Sequence, residues 1–124
     1  AAVSFLQIIA PDFKIKKDEN PINDKRWMHI GNDEFYFALQ ESHIGTNPIK
    51  PNQTYINYGF NHIGLVVNNI DDIEKKLIQA GYHKGIDTPN ETFRKRIYYY
   101  DNAGFEWELV EYLSENTEDK FLYE

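Results

Sequence analysis

The clearest pattern in the chain is an alternation of apolar and acidic residues over positions 105–110, FEWELV. Successive side chains of a strand point to opposite faces, so the aromatic and aliphatic residues share one face while Glu106 and Glu108 share the other. The segment RIYYY at 96–100 is also typical of a strand, and the polar DNAG between the two predicts a turn. The pattern therefore predicts a β-hairpin with one packed face and one acidic face.

A second copy of this pattern occurs earlier in the chain. Residues 26–41 align with residues 96–111 at a constant offset of 70 and without a gap. The identical pairs are Arg26/Arg96, Asn32/Asn102, Phe35/Phe105, Leu39/Leu109 and Glu41/Glu111. Each copy reads as strand, polar turn and strand, which indicates an internal duplication.

The sequence before the second hairpin predicts the order β-α-β-β-β for the second half. Residues 60–67, FNHIGLVV, are typical of a strand. An amphipathic helix follows over 68–81, with Asn69 as its N-cap and Gly81 as its end. A brief further strand is expected over 82–88.

The first half has the order α-β-β-β. Apolar residues at helical spacing predict a helix over 1–10 that stops before Pro11, and residues 13–19 predict a strand. The opening strand of the second half has no counterpart here, so the strand at 35–41 is expected to have an open edge. We favour a truncated version of a longer chain, because the helix begins at once without a cap residue. A strand donated by a partner protomer and a covering loop are the alternatives.

Composition and charge narrow the function classes. The chain has 124 residues, 41% of them hydrophobic, which suits one folded domain. A net charge of −7 disfavours binding to nucleic acids and anionic membranes. There is no cysteine, which excludes disulfides and thiolate ligands, and no apolar run is long enough to span a membrane. The default expectation is a cytoplasmic protein without a nucleic-acid or membrane partner.

The tandem modules, the opening strand NHIGLVV and the closing segment DNAGFEWELVEY together resemble the vicinal oxygen chelate superfamily. That superfamily includes glyoxalase I, bleomycin-resistance proteins and extradiol dioxygenases. The resemblance implies an α+β fold of tandem βαβββ modules whose curled sheets form a cleft, with the first strand of module 1 missing. It implies one domain over 1–124: module 1 at about 1–42, a linker at 43–58, module 2 at about 59–113 and a tail at 114–124.

The resemblance also implies a metal site, because such modules commonly bind a divalent ion through their first and last strands. The matching positions in module 2 are His62 and Glu108, and Glu108 is also the candidate catalytic carboxylate. Nitrogen and oxygen donors suit Zn²⁺, Fe²⁺, Mn²⁺ or Ni²⁺. In module 1 the position that matches Glu108 is Ala38, which cannot ligate, so only half of a site is visible. A structural role for His62 and a protein without a metal remain alternatives.

The other candidate residues lie on the same strand faces. The candidate ligand-binding residues are Phe60, Tyr36, Gln40, Tyr98 and Glu106. For Glu106 simple solvation is the expected state. His29, His43 and His83 are expected to be structural, and Arg26 and Arg96 are expected to pair with surface carboxylates.

Three functions are compatible with these residues. The first is a glyoxalase-like protein that binds a small organic molecule, with a metal that polarises adjacent substrate oxygens while a carboxylate moves a proton, as in a lyase or isomerase. The second is a metal-free binding protein of the bleomycin-resistance type that sequesters a cationic or aromatic compound. A strand-exchanged interaction module is the third. In the first two the partner is a small-molecule ligand, and a homodimer is expected.

Overall fold

The computed structural model describes residues 1–41 and 54–123. The chain divides into two compact units, Ala1–Pro51 and Asn52–Glu124. Most of the predicted linker, His43 included, lies outside the described residues. Each unit is α+β and has one three-stranded sheet.

The first unit contains one helix and three strands, and the strands form an antiparallel sheet in the order β1-β2-β3. The elements are α1 (Ala2–Ile9), β1 (Lys14–Glu19), β2 (Trp27–Gly31) and β3 (Tyr36–Gln40). Phe5, Leu6 and Ile9 share one face of α1 and are buried, as the helical spacing predicts. Among the described residues β3 pairs with β2 alone, so its outer edge lacks the strand that the repeat leads one to expect.

The second unit has a mixed sheet in the order β4-β6-β5, in which β4 runs parallel to β6 and β5 antiparallel to it. The elements are β4 (His62–Val66), α2 (Ile70–Gln79), β5 (Arg94–Tyr100), β6 (Glu106–Tyr112) and α3 (Thr117–Lys120), the last within the predicted tail. Within the described ranges, no helix is long and apolar enough to cross a membrane.

Helix α2 is fixed by a side-chain carboxylate at its N-terminus and by a backbone hydrogen bond at its C-terminus. Its C-terminus closes at Gly81, whose φ of +83° is in the left-handed region, and Tyr82 N–H bonds back to the carbonyl of Leu77. Asn69 is the N-cap residue, as predicted, but its side chain makes no cap hydrogen bond. Instead, both carboxylate oxygens of Glu111 on β6 accept hydrogen bonds from the first free N–H groups, at 3.2 and 3.0 Å.

The alternation of β6 separates a packed face from an ionic face, as predicted. Trp107 and Leu109 are buried on the side of Tyr99, whose hydroxyl donates to Glu74 of α2 at 3.0 Å. The apolar residues Ile70, Ile73 and Leu77 of α2 are buried, and α2 contacts β5 and β6. Glu106 and Glu108 therefore lie on the sheet face away from α2.

The gapless alignment of the two hairpins is wrong by one residue. In the first hairpin Asn32 N–H bonds to Phe35 O, whereas in the second Asp101 N–H bonds to Phe105 O, so the second turn is one residue longer. Gly104, with φ at +85°, accommodates the extra residue. Strand β6 therefore aligns with β3 at an offset of 70 residues, but β5 aligns with β2 at an offset of 69.

The strand predicted over 82–88 is reduced to one bridge between Lys84 and Tyr99. Gly85 N–H bonds to Tyr98 O at 2.7 Å, and Tyr100 N–H bonds to His83 O at 2.9 Å. The next amide, that of Ile86, donates to Glu106 Oε1 at 3.3 Å instead of to a backbone carbonyl. A carboxylate thus replaces the strand partner and ends the ladder.

Gly85 lies where no side chain fits, and this generates a first prediction. A Cβ there would be 2.4 Å from Glu106 Oε1 and 2.9 Å from Tyr98 Cβ. Gly85→Ala is expected to lower the free energy of unfolding by about 1 to 3 kcal/mol, measured by denaturant titration. Gly64→Ala is the control, because its Cβ would meet its nearest neighbour at an ordinary 3.5 Å. Equal losses in the two variants would contradict this account.

The buried hydroxyl of Tyr99 gives a second prediction. Burial and the hydrogen bond to Glu74 raise the pKa of Tyr99 from 10.0 to about 12. The folded protein holds this proton more tightly than the unfolded chain, so the contribution is complete below pH 10 and is lost as pH rises through 12. Tyr99→Phe is expected to cost about 1 kcal/mol at neutral pH and to reduce the fall in stability between pH 10 and 12. An unchanged alkaline slope would show that Tyr99 does not carry it.

Candidate functional site

The parallel pairing of β4 with β6 brings His62 to Glu108. The register pairs His62 with Glu106 and Gly64 with Glu108, and these residues share the face away from α2. The imidazole of His62 extends past Gly64 to Glu108, with 3.1 Å between Nε2 and Oε2. Both side chains are half-buried.

The separation of these two donor atoms suits a shared metal ion. Two donors that each lie about 2.1 Å from one ion are about 3.0 to 3.4 Å apart at octahedral or tetrahedral angles. A neutral imidazole with a carboxylate is a donor set for borderline divalent metals. Over residues 1–41 and 54–123, however, no cluster of three or more His, Cys, Asp or Glu side chains forms a complete site. The two residues therefore fit a divalent ion as part of a ligand set.

Asn61 determines which ring nitrogen of His62 carries the proton. Its Oδ1 accepts from Tyr55 N–H at 2.7 Å, which leaves its amide nitrogen 3.2 Å from His62 Nδ1. An amide N–H donates, so Nδ1 accepts and the imidazole proton lies on Nε2, facing Glu108. Metal binding at Nε2 requires the opposite tautomer and a turn of the Asn61 amide.

Glu108 is also part of an ion-pair chain. Its Oε1 lies 3.4 Å from Nη1 of Arg96, whose Nε donates to Glu91 at 2.7 Å. Arg94 donates to the other oxygen of Glu91 through two nitrogens, at 2.9 and 2.7 Å. The hydrogen bond from Arg94 is the main cause that lowers the pKa of Glu91, against the opposing effect of burial. The expectation that Arg96 pairs with surface carboxylates is wrong, whereas Arg26 does pair with the exposed Asp18.

Tyr98 lies beside this pair on β5, in register with Glu108. Its ring meets His62 edge-on, with 5.3 Å between centroids. Burial and the charge of Glu108 raise the pKa of Tyr98 to about 12. At neutral pH Tyr98 therefore retains its proton and is a hydrogen-bond donor on this face.

Glu106 is not solvated, contrary to expectation. Its exposed fraction is 0%, and its Oε2 accepts no hydrogen bond from the described residues. The hydrogen bond from Ile86 N–H offsets only part of the cost of burying a carboxylate. Glu106 is therefore a buried acid of this face with one oxygen that lacks a described partner. Phe60, by contrast, is 83% exposed just before β4.

The candidate residues of the first unit lie on a face of β2 and β3 that also carries stacked aromatic rings. Tyr36 and Gln40 share the face of Ala38, as predicted. His29 pairs with Ala38 and stacks on Tyr36, with 4.3 Å between ring centroids, and Trp27 follows at 5.1 Å from His29. Where the second unit has Glu108 and Tyr98, the first has Ala38 and His29.

Sequence reasoning missed Glu91, Asn61 and the role of Arg96. The gapless repeat made Arg96 the counterpart of the exposed Arg26, whereas the observed register makes Lys95 that counterpart. A glycine in the second turn, Gly104, is the signal that the two turns differ in length. Nothing in the sequence around Glu91 distinguishes it from a surface acid.

Comparison with solved structures shows the fold. FosX, a fosfomycin resistance protein from Listeria monocytogenes, matches with a TM-score of 0.65 and 14% identity, covering 98% of this chain and 86% of that one. It has been solved with Mn(II) and sulfate and, as a glutamate-to-glutamine mutant, with Mn(II) and 1S,2S-dihydroxypropylphosphonic acid. FosX from Mesorhizobium loti matches with a TM-score of 0.63 and 15% identity, covering 94% of this chain and 83% of that one.

A glyoxylase/bleomycin resistance protein/dioxygenase domain from Frankia sp. EAN1pec matches with a TM-score of 0.66 and 17% identity, covering 97% of this chain and 87% of that one. No family model matches the sequence, and the comparison with curated proteins found no match. The chain has the vicinal oxygen chelate fold, as its sequence pattern indicates. At these identities the likeness concerns the fold and not the activity.

Proposed function

We propose that the protein binds a small organic molecule at the ionic face of its second unit, beside a divalent metal held in part by His62 and Glu108. The observation that carries this proposal is the 3.1 Å separation of His62 Nε2 and Glu108 Oε2, on a half-buried sheet face. The Mn(II) in Listeria FosX makes Mn²⁺ the first metal to test. The proposed class of reaction is that of a lyase or isomerase.

In this proposal the metal supplies Lewis acidity toward adjacent oxygens of the ligand. Tyr98 remains protonated at neutral pH and donates a hydrogen bond to a ligand oxygen. Glu108 is the proposed catalytic carboxylate, and Glu106 Oε2 is an acceptor without a described partner. Phe60 contributes exposed apolar surface. Tyr36 and Gln40 stay predicted ligand contacts, and the cytoplasmic location and homodimer stay predictions.

A metal-free binding protein is the second candidate. Two observations favour it: Asn61 orients His62 so that Nε2 carries a proton, and Arg96 places a positive charge 3.4 Å from Glu108. Both arrangements already satisfy the two residues that a metal would need.

Metal analysis distinguishes these two functions. After incubation with Mn²⁺ or Zn²⁺ and removal of the excess, the parent protein is expected to retain about one ion per chain. The metal content is measured by inductively coupled plasma mass spectrometry. His62→Ala and Glu108→Gln should each lose most of it, because two donors cannot be reduced to one without weakening the site. His83→Ala and Glu115→Gln, at exposed positions of the same unit, are the matched controls. No metal in the parent would leave the metal-free function.

The tautomer of His62 gives a sharper prediction. In Asn61→Asp a carboxylate oxygen accepts from His62 Nδ1–H, which leaves the Nε2 lone pair for the metal. The affinity for Mn²⁺ is expected to rise about tenfold or more, measured by calorimetric titration. Asn61→Ala removes the amide without adding an acceptor and should gain less. Equal affinities in the parent and Asn61→Asp would count against metal binding at Nε2.

A further inference from the structure

We infer that Arg96 anchors an anionic group of the ligand, and that Glu91 positions Arg96 for this role. The ligand would then be a small organic anion that carries a carboxylate, a phosphonate or a phosphate. This inference rests on the proposed function, because the anchored group would lie beside the metal held by His62 and Glu108.

The position of Arg96 is set by two carboxylates. Glu91 is nearly enclosed, with its side chain 6% exposed, and accepts from Arg96 Nε at 2.7 Å. Glu108 approaches Nη1 at 3.4 Å. Burial is the largest single effect on the pKa of Arg96 and lowers it, but the hydrogen bond and the charge of Glu91, together with the hydrogen bond to Glu108, raise this pKa overall. A guanidinium held in this way keeps both its charge and its plane.

Arg96 keeps donors for a further partner. Among the described residues none accepts a hydrogen bond from Nη2, and 21% of the side chain remains exposed. The planar fork of a guanidinium matches anions that present two oxygens. Arg96 lies on the same sheet face as Tyr98 and Glu108, since alternate residues of β5 share a face. An anion at Nη2 would therefore be near the oxygens of a ligand at His62.

The balance of charge makes this anchor stronger when the metal is bound. The charges of Arg94 and Arg96 are balanced by those of Glu91 and Glu108. An anion therefore binds this neutral surface more weakly than it binds the surface with a metal. A divalent ion at His62 and Glu108 makes the local charge positive, so anion and metal should strengthen each other's binding, each by the same factor.

A purely structural role for Arg96 makes a different prediction. If Arg96 only compensated Glu108, its loss would affect stability and metal affinity, with no dependence on anions. Arg94 is a matched control, because it shares Glu91 with Arg96 but makes no described contact with Glu108.

The experiment is a calorimetric titration of the full chain with Mn²⁺, with and without methylphosphonate. In the parent, methylphosphonate is expected to tighten Mn²⁺ binding about fivefold or more, and its uncharged dimethyl ester to have no effect. Arg96→Gln should bind Mn²⁺ alone more tightly, because a neighbouring positive charge is gone, and should lose the effect of methylphosphonate. Glu91→Gln should reduce that effect, and Arg94→Gln should retain it.

The variant Arg96→Lys tests whether the shape of the guanidinium matters in addition to its charge. Arg96→Lys keeps the charge without the fork, so it should fold, as checked by thermal melting, and lose part of the methylphosphonate effect. An equal effect in the parent and in both Arg96 variants would overturn the inference, as would metal binding by the parent without any effect.

If the parent binds no metal, the proposed function fails and direct titration with methylphosphonate decides the anchor separately. Binding that Arg96→Gln abolishes would support the anchor. Absence of binding, or binding that survives in Arg96→Gln, would overturn it.

Discussion

The parallel pairing of β4 with β6 is the constraint from which the candidate site follows. It fixes which residue of the opening strand is paired with which residue of the closing strand, and it places His62 within 3.1 Å of Glu108 on one sheet face. A carboxylate on a half-buried face needs compensation, and the chain supplies it from two sides, through an imidazole and a guanidinium. The remaining partners, Asn61 and Glu91, orient these two groups.

Alternation along β6 was enough to predict the two faces of the second sheet. The aromatic and aliphatic residues had to pack, so the acids at 106 and 108 had to lie on the opposite side, and α2 covers the apolar side. Periodicity also predicted both main helices and both hairpins. Such local patterns are reliable because a shift of one residue would move every apolar side chain to the wrong face.

Periodicity could not predict contacts that depend on the exact register or on a distant loop. The turn that contains Gly104 has one additional residue, which shifts the register of β5 by one position relative to the first hairpin. Arg96 is therefore not the residue equivalent to Arg26. Glu106 alternates like a solvated acid, yet Gly85 and Ile86 enclose it. Glu91 joins the site only because its loop places it beside β5. These are tertiary contacts, and the local sequence around each residue carries no sign of them.

Each unit contains an antiparallel hairpin, but the two hairpins carry different side chains on the corresponding face. In the first unit Ala38 leaves the face to stacked rings, His29 on Tyr36, whose contacts are short-ranged and little affected by salt. In the second unit Glu108 at the matching position brings His62 and Arg96 to it, and their interactions depend on charge and therefore on protonation, ions and ligands. Ala38 offers no donor where the second unit has Glu108, so the first unit has no carboxylate at this position to pair with an imidazole and a guanidinium. The two hairpins share antiparallel pairing, but among the described residues the second unit alone adds a parallel strand, β4, which brings His62 to this face.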